Sequence, residues 1–177
     1  MSHSSAKKPS VLFVCVKNGG KSQMAAGLMR HASGGSVDVY SAGTEPGVAL
    51  NALSVEALLE LGVDITGETP KAIDPQLLYD VDLVVTLGRE ARLDPVPGTR
   101  SENWDTDEPS ERGIDGIERM RLIRDDIATR VRELSESLNS PSEARVAGYL
   151  PVPQGNSDAE AYRATSISVS GSKFIGL

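Results

Sequence analysis

Val11-Leu12-Phe13-Val14 is an unbroken apolar run, the pattern of a strand buried on both faces of a parallel sheet. The turn-forming stretch Cys15-Val16-Lys17-Asn18-Gly19-Gly20-Lys21-Ser22 follows, and Met24, Ala25, Leu28, Met29 and Ala32 then recur at helical spacing over 23–32. Val37-Asp38-Val39-Tyr40 predicts a second strand with Ser41-Ala42-Gly43 as its turn, and 51–61 an amphipathic helix closed by Gly62. Asp82-Leu83-Val84-Val85-Thr86-Leu87 reads as a third buried strand stopped by Gly88. A loop holding Asp94-Pro95-Val96-Pro97-Gly98 leads to a short fourth strand at Glu102-Asn103-Trp104. From Glu111 onward, Ile117, Met120, Ile123, Ile127, Val131, Leu134 and Leu138 fall every three or four residues, one apolar stripe on a long helix.

Strands alternating with helices imply right-handed crossovers. The predicted fold is therefore α/β, a doubly wound four-stranded parallel sheet with helices on both faces. Residues 10–139 carry this pattern, 1–9 read as a flexible leader, and 140–177, rich in serine with scattered apolar positions, read as a flexible or foreign tail. Ile167 and Val169 alternate with serines there, which leaves an added edge strand as the other reading.

Composition narrows the function classes. With 177 residues, 39% of them apolar, the chain suits one domain with one core. No run approaches the roughly 18 apolar residues of a membrane span. The N-terminal stretch lacks the apolar segment of a secretory signal. Cys15 is the only cysteine, so an internal disulfide and a cysteine zinc cluster are excluded and a reducing, cytoplasmic setting is expected. No metal-ligand spacing accompanies His3 or His31, so no metal is expected. A net charge of −7 argues against a nucleic-acid surface. Its distribution is uneven: residues 1–37 carry five basic side chains and no acid, while the rest of the chain carries 13 basic against 25 acidic.

The loop inside that basic segment carries the candidate chemistry. Cys15 falls at the carboxyl end of the first strand, where ligands bind in open α/β sheets. Gly19 and Gly20 allow the backbone N–H groups of residues 16–22 to converge as an anion cradle, the following helix adds its N-terminal dipole, and Lys21 and Lys17 add charge. The same field favours a nucleophilic thiolate, and Ser22 can donate to the sulfur. The plain alternative is an inert cysteine packed as a small hydrophobe. Neither a dinucleotide loop nor a nucleotide-type G-x-x-x-x-G-K-[ST] loop fits, since Cys15 stands where the latter needs its first glycine.

Cys15-x5-Lys21-Ser22 behind an apolar strand resembles the phosphate loop of low-molecular-weight protein tyrosine phosphatases and of the arsenate reductases that share their fold. Asn18, the run Ser22-Gln23-Met24-Ala25, Ser41-Ala42-Gly43-Thr44, and the block from Ile65-Thr66 through Gly67-Glu68-Thr69-Pro70-Lys71 to Ile73-Asp74 are similar to the reductase branch. Trp104-Asp105-Thr106-Asp107-Glu108-Pro109 is similar to that branch's acid loop, which puts Asp107 in the general-acid position with Asp105 and Glu108 as rivals. Trp104 is expected to shield the site. Without the resemblance, the acids read as helix capping.

Two departures matter. Lys21 stands where the family has an arginine, so the planar fork that clamps oxyanions is missing. No cysteine follows in 87–94, which excludes the internal disulfide relay of thioredoxin-coupled reductases. The resemblance then points to the mycothiol-dependent, single-cysteine arsenate reductases of actinobacteria. It implies arsenate as substrate, mycothiol as co-substrate with no bound cofactor, and a mycoredoxin as partner. The alternatives are a phosphotyrosine phosphatase working through a phosphocysteine and a non-enzymatic oxyanion sensor.

Overall fold

Odd and even positions of the first strand, β1 (Ser10–Cys15), serve two different cores. Val11 and Phe13 face α1 (Lys21–Ser33), α2 (Ala52–Leu59) and α4 (Gly116–Asn139). Leu12 and Val14 face the other way, onto Val81, Val84 and the apolar side of α3 (Pro75–Asp80). Such two-sided burial is why the strand is apolar throughout; a fully buried Phe or Leu contributes about 1.5–3 kcal/mol. The structure, a computed structural model, describes residues 7–140.

β1 is flanked by β2 (Asp38–Gly43) and β3 (Leu83–Leu87), and β4 (Arg100–Trp104) lies outside β3, so the order is β2-β1-β3-β4 with every pair parallel. This is the expected doubly wound sheet with helices on both faces. The chain leaves β1 toward one edge and later returns to the other side of β1, which opens a crevice above its carboxyl end. Among the described residues no helix is long and apolar enough to cross a membrane.

Several boundaries differ from the sequence expectations. Ser41, Ala42 and Gly43 belong to β2 rather than to a turn, because they pair in register with Phe13, Val14 and Cys15. The six-residue α3, capped by the Asp74 side chain on the Gln76 amide, was not expected; it is too short to show a period. The last helix begins at Gly116, not at Glu111: residues Pro109–Arg112 form a 3₁₀ turn, and Gly113 and Gly116, at φ +75° and +65°, interrupt the helical path. β4 is longer than its apolar signal, since as an edge strand it is held by backbone pairing to β3 with mostly polar side chains. Trp104, expected to shield the site, is buried against Phe13 with ring centroids 5.6 Å apart. Of the expected leader, the Pro9 carbonyl accepts from the Asp38 amide. Residues 1–6 and the expected tail from 141 onward lie outside the described residues.

Candidate active site

The loop between β1 and α1 is shaped by what its carbonyls do. The carbonyl oxygens of Cys15, Val16, Lys17 and Gly19 accept from the amides of Thr44, Glu45, Gly47 and Asn51, so the following loop zips along the outside. Gly19 and Gly43 make that approach feasible: a Cβ on Gly19 would stand 2.9 Å from the Ala49 carbonyl oxygen, and one on Gly43 2.7 Å from that of Val16. With the carbonyls spent outward, the amides of Lys17, Gly19 and Gly20 donate to no protein acceptor among the described residues. The α1 N-terminus begins here with no side-chain cap and no acid in its first turn. Unspent N–H groups and an uncompensated helix dipole leave the cradle electropositive.

Asn18 fixes the nucleophile. It is fully buried and is the single non-glycine residue at positive φ (+48°) among the described residues. Its Oδ1 accepts from Gln23 Nε2 (3.1 Å) and from the Lys71 amide (2.9 Å), which commits Nδ2 to donating to Ser22 Oγ at 2.8 Å. Ser22 therefore accepts from Asn18 and shares a hydrogen bond with Cys15 Sγ, 2.9 Å away, to which it can donate its own proton, and the Asn18 amide donates to the sulfur at 3.2 Å. The sulfur accepts from the Asn18 amide, and the Cys15 residue is buried, with a relative exposure of 8%. The sequence brings Gln23 and Lys71 forward only as members of the runs that resemble the reductase branch; that the Gln23 side chain and the Lys71 amide hold Asn18 is decided by the fold.

Of the three rival acids, the structure brings Glu108 to the loop. Its Oε1 pairs with Lys21 Nζ, and its Oε2 lies 3.9 Å from an Arg119 guanidinium nitrogen. Asp107 is instead clamped by Arg112, whose Nη1 and Nη2 donate to its two oxygens at 2.7 and 2.9 Å. That guanidinium holds the Asp107 carboxyl below the usual carboxylate range. Asp105 pairs with Arg89 at 2.9 Å on the surface. Lys21 leaves the cradle floor and extends toward Gly88, while Lys17 is exposed and paired with Glu45. Among the described residues no group of three His, Cys, Asp or Glu is placed to hold a metal.

A buried cysteine in a donor-lined loop, with the loop lysine paired to a carboxylate of the 104–109 loop, has clear relatives. The family model for low molecular weight phosphotyrosine protein phosphatases matches residues 10–144. The chain belongs to the low molecular weight phosphotyrosine protein phosphatase family. Within that family it is similar to proteins named arsenate reductase. One from Bacillus licheniformis is 36% identical over 138 residues, which is 73% of this chain and 97% of the relative. One from Halalkalibacterium halodurans is 38% identical over 137 residues, again 73% and 97%. Among solved structures, a thioredoxin-dependent arsenate reductase of Corynebacterium glutamicum superposes with a TM-score of 0.64 at 35% identity, covering 76% of this chain and 63% of that one.

Proposed function

We propose that this member of the family is an arsenate reductase whose single cysteine forms an arsenic–sulfur bond that an external thiol resolves. The observation that carries the reading is Cys15 Sγ, hydrogen-bonded to Ser22 and accepting from the Asn18 amide beside a set of unspent loop amides. The names of the relatives at 36% and 38% identity support arsenate as the oxyanion.

In the proposed sequence, arsenate seats in the cradle made by the backbone of Val16, Lys17, Asn18, Gly19, Gly20, Lys21 and Ser22. The Cys15 sulfur attacks arsenic, and one oxygen leaves as water with a proton delivered by an acid. Glu108 is assigned that role over Asp107 on position: it is the carboxyl of the 104–109 loop that contacts a cradle residue, Lys21, whereas Asp107 contacts Arg112. The thiolate of a low-molecular-weight thiol then attacks arsenic and displaces Cys15, leaving arsenic pentavalent on the small thiol. A reducing thiolate attacks the sulfur of that adduct; the sulfur–arsenic electron pair passes to arsenic, arsenite departs, and the two sulfurs form a disulfide.

Cys15 is the only cysteine of the chain, which supports an external thiol over an internal relay. Mycothiol with a mycoredoxin is the pairing proposed, and the C. glutamicum neighbour's description as thioredoxin-dependent makes thioredoxin the necessary comparison. The test is NADPH oxidation by the purified protein with arsenate, run with mycothiol and mycoredoxin, with glutathione and glutaredoxin, and with thioredoxin, each supplied with its NADPH-dependent disulfide reductase. Turnover with the mycothiol pair alone is expected. Turnover with thioredoxin alone would replace the small thiol by a protein thiol, and silence in all three with hydrolysis of an aryl phosphate would make the protein a phosphatase.

A further inference from the structure

Glu108 sits between two cations, and they are not equivalent. Lys21 belongs to the oxyanion loop itself, and its ammonium is engaged by Glu108 Oε1. Arg119, on the first turns of α4, offers Nη2 to Oε2 at 3.9 Å, beyond hydrogen-bond reach. The Nε of the same guanidinium is buried and has no acceptor among the described residues. Nε and Nη2 lie along one edge of the guanidinium, the edge that binds a carboxylate in a two-pronged fork. An unsatisfied buried donor is costly, and here the same guanidinium's Nη2 faces a carboxylate already engaged by Lys21.

An oxyanion entering the cradle needs the Lys21 charge, because the loop has no arginine to clamp it. The oxyanion and Glu108 therefore compete for one ammonium. With Lys21 withdrawn, two anions would face each other at the mouth of the loop, and Coulomb repulsion would drive Glu108 outward. We infer that Arg119 is the positioning residue that prevents this: as the oxyanion takes Lys21, Glu108 moves onto the free Nε–Nη2 edge of Arg119 and stays at the loop. The inference rests on the reading of the loop as an oxyanion cradle, but not on arsenate being reduced. Asp107, Asp105 and Asp126 have their own arginines, Arg112, Arg89 and Arg130, so Arg119 is not diverted to them in this arrangement.

The experiment is a double-mutant cycle on the full chain, with inorganic phosphate as the probe and calorimetric binding at fixed ionic strength as the readout. Glu108→Gln removes the competitor and is expected to tighten phosphate binding about tenfold. Arg119→Gln leaves Glu108 with Lys21 alone, so phosphate is expected to bind about threefold more weakly. In the Glu108→Gln background, Arg119→Gln is expected to change nothing, and Arg119→Lys in the parent is expected to recover less than half of the loss, since an ammonium lacks the fork. Equal weakening by Arg119→Gln in both backgrounds would overturn the inference, showing a direct or merely structural role. Unchanged phosphate affinity in Glu108→Gln would overturn it as well. Melting temperatures of the variants within a few degrees of the parent establish that binding is compared between folded proteins. The binding cycle reads the same whether or not any thiol supports arsenate turnover, so failure of the reductase reading and failure of this inference are separate results.

Discussion

At the residue scale, Asn18 holds the site together more than its neighbours do. Four hydrogen bonds converge on it: its amide donates to Cys15, its Nδ2 to Ser22, and its Oδ1 accepts from Gln23 and Lys71. Asn18→Ala strands buried donors in a backbone conformation that alanine disfavours, and is expected to destabilise the fold by about 3 kcal/mol in denaturant titration. Cys15→Ser changes one atom at the floor of the cradle, so it is expected to abolish turnover while phosphate binding and the melting temperature stay near those of the parent. The acids separate by rate. Glu108→Gln is expected to lower turnover about 100-fold or more, the usual worth of a proton donor, and Asp107→Asn less than tenfold. The reverse ranking would restore Asp107 to the role the sequence motif suggested for it.

At the element scale, the cradle depends on a neighbour packed close enough to absorb its carbonyls. Gly43, the last residue of β2, meets Val16 O at 2.7 Å and the Asn18 backbone and side chain at 3.0 Å through the position of its absent Cβ. Gly43→Ala therefore pushes on the loop from outside, and is expected to lose about 2–4 kcal/mol of stability and to weaken phosphate binding together. A second element contact responds to pH. Glu60, just past α2, receives Arg121 and Arg124 of α4, and these guanidiniums lower its carboxyl from 4.5 to about 2. A carboxyl with a lower folded than unfolded value contributes stability that is complete above the unfolded value and is lost as pH falls toward the folded one. The melting-temperature difference between the parent and Glu60→Gln is accordingly expected to be constant above pH 5 and to shrink from about pH 4.5 down to about pH 2.

At the scale of the whole molecule, the described residues fall within one compact unit, and the family match runs from residue 10 to residue 144. A chain ending at Ala144 is expected to melt and to bind inorganic phosphate as the full chain does; a loss of either would give 145–177 a part in the domain. The sequence by itself determined the first strand, the glycine loop and the helix behind it, with Cys15, Asn18 and Ser22 in place. These are local: an apolar run, turn formers and a 3.6-residue period each act within a few positions, and the loop's shape follows from where strand and helix begin. It also determined that any disulfide relay must involve another molecule, since one cysteine cannot pair with itself.

Whatever depended on distant partners was illegible. Ser41 to Gly43 looked like a turn because their small side chains carry no strand signal, yet the register with β1 makes them strand. α3 showed no period in six residues, and the start of α4 was misplaced because an apolar stripe does not report the positive φ of Gly113 and Gly116. The choice among Asp105, Asp107 and Glu108 lay furthest beyond reach. Three carboxylates within four positions share one composition, and only the tertiary arrangement assigns Arg89 to the first, Arg112 to the second, and Lys21, 87 residues away, to the third. Charge pairing across the fold acts through space rather than along the chain, so no local pattern encodes it.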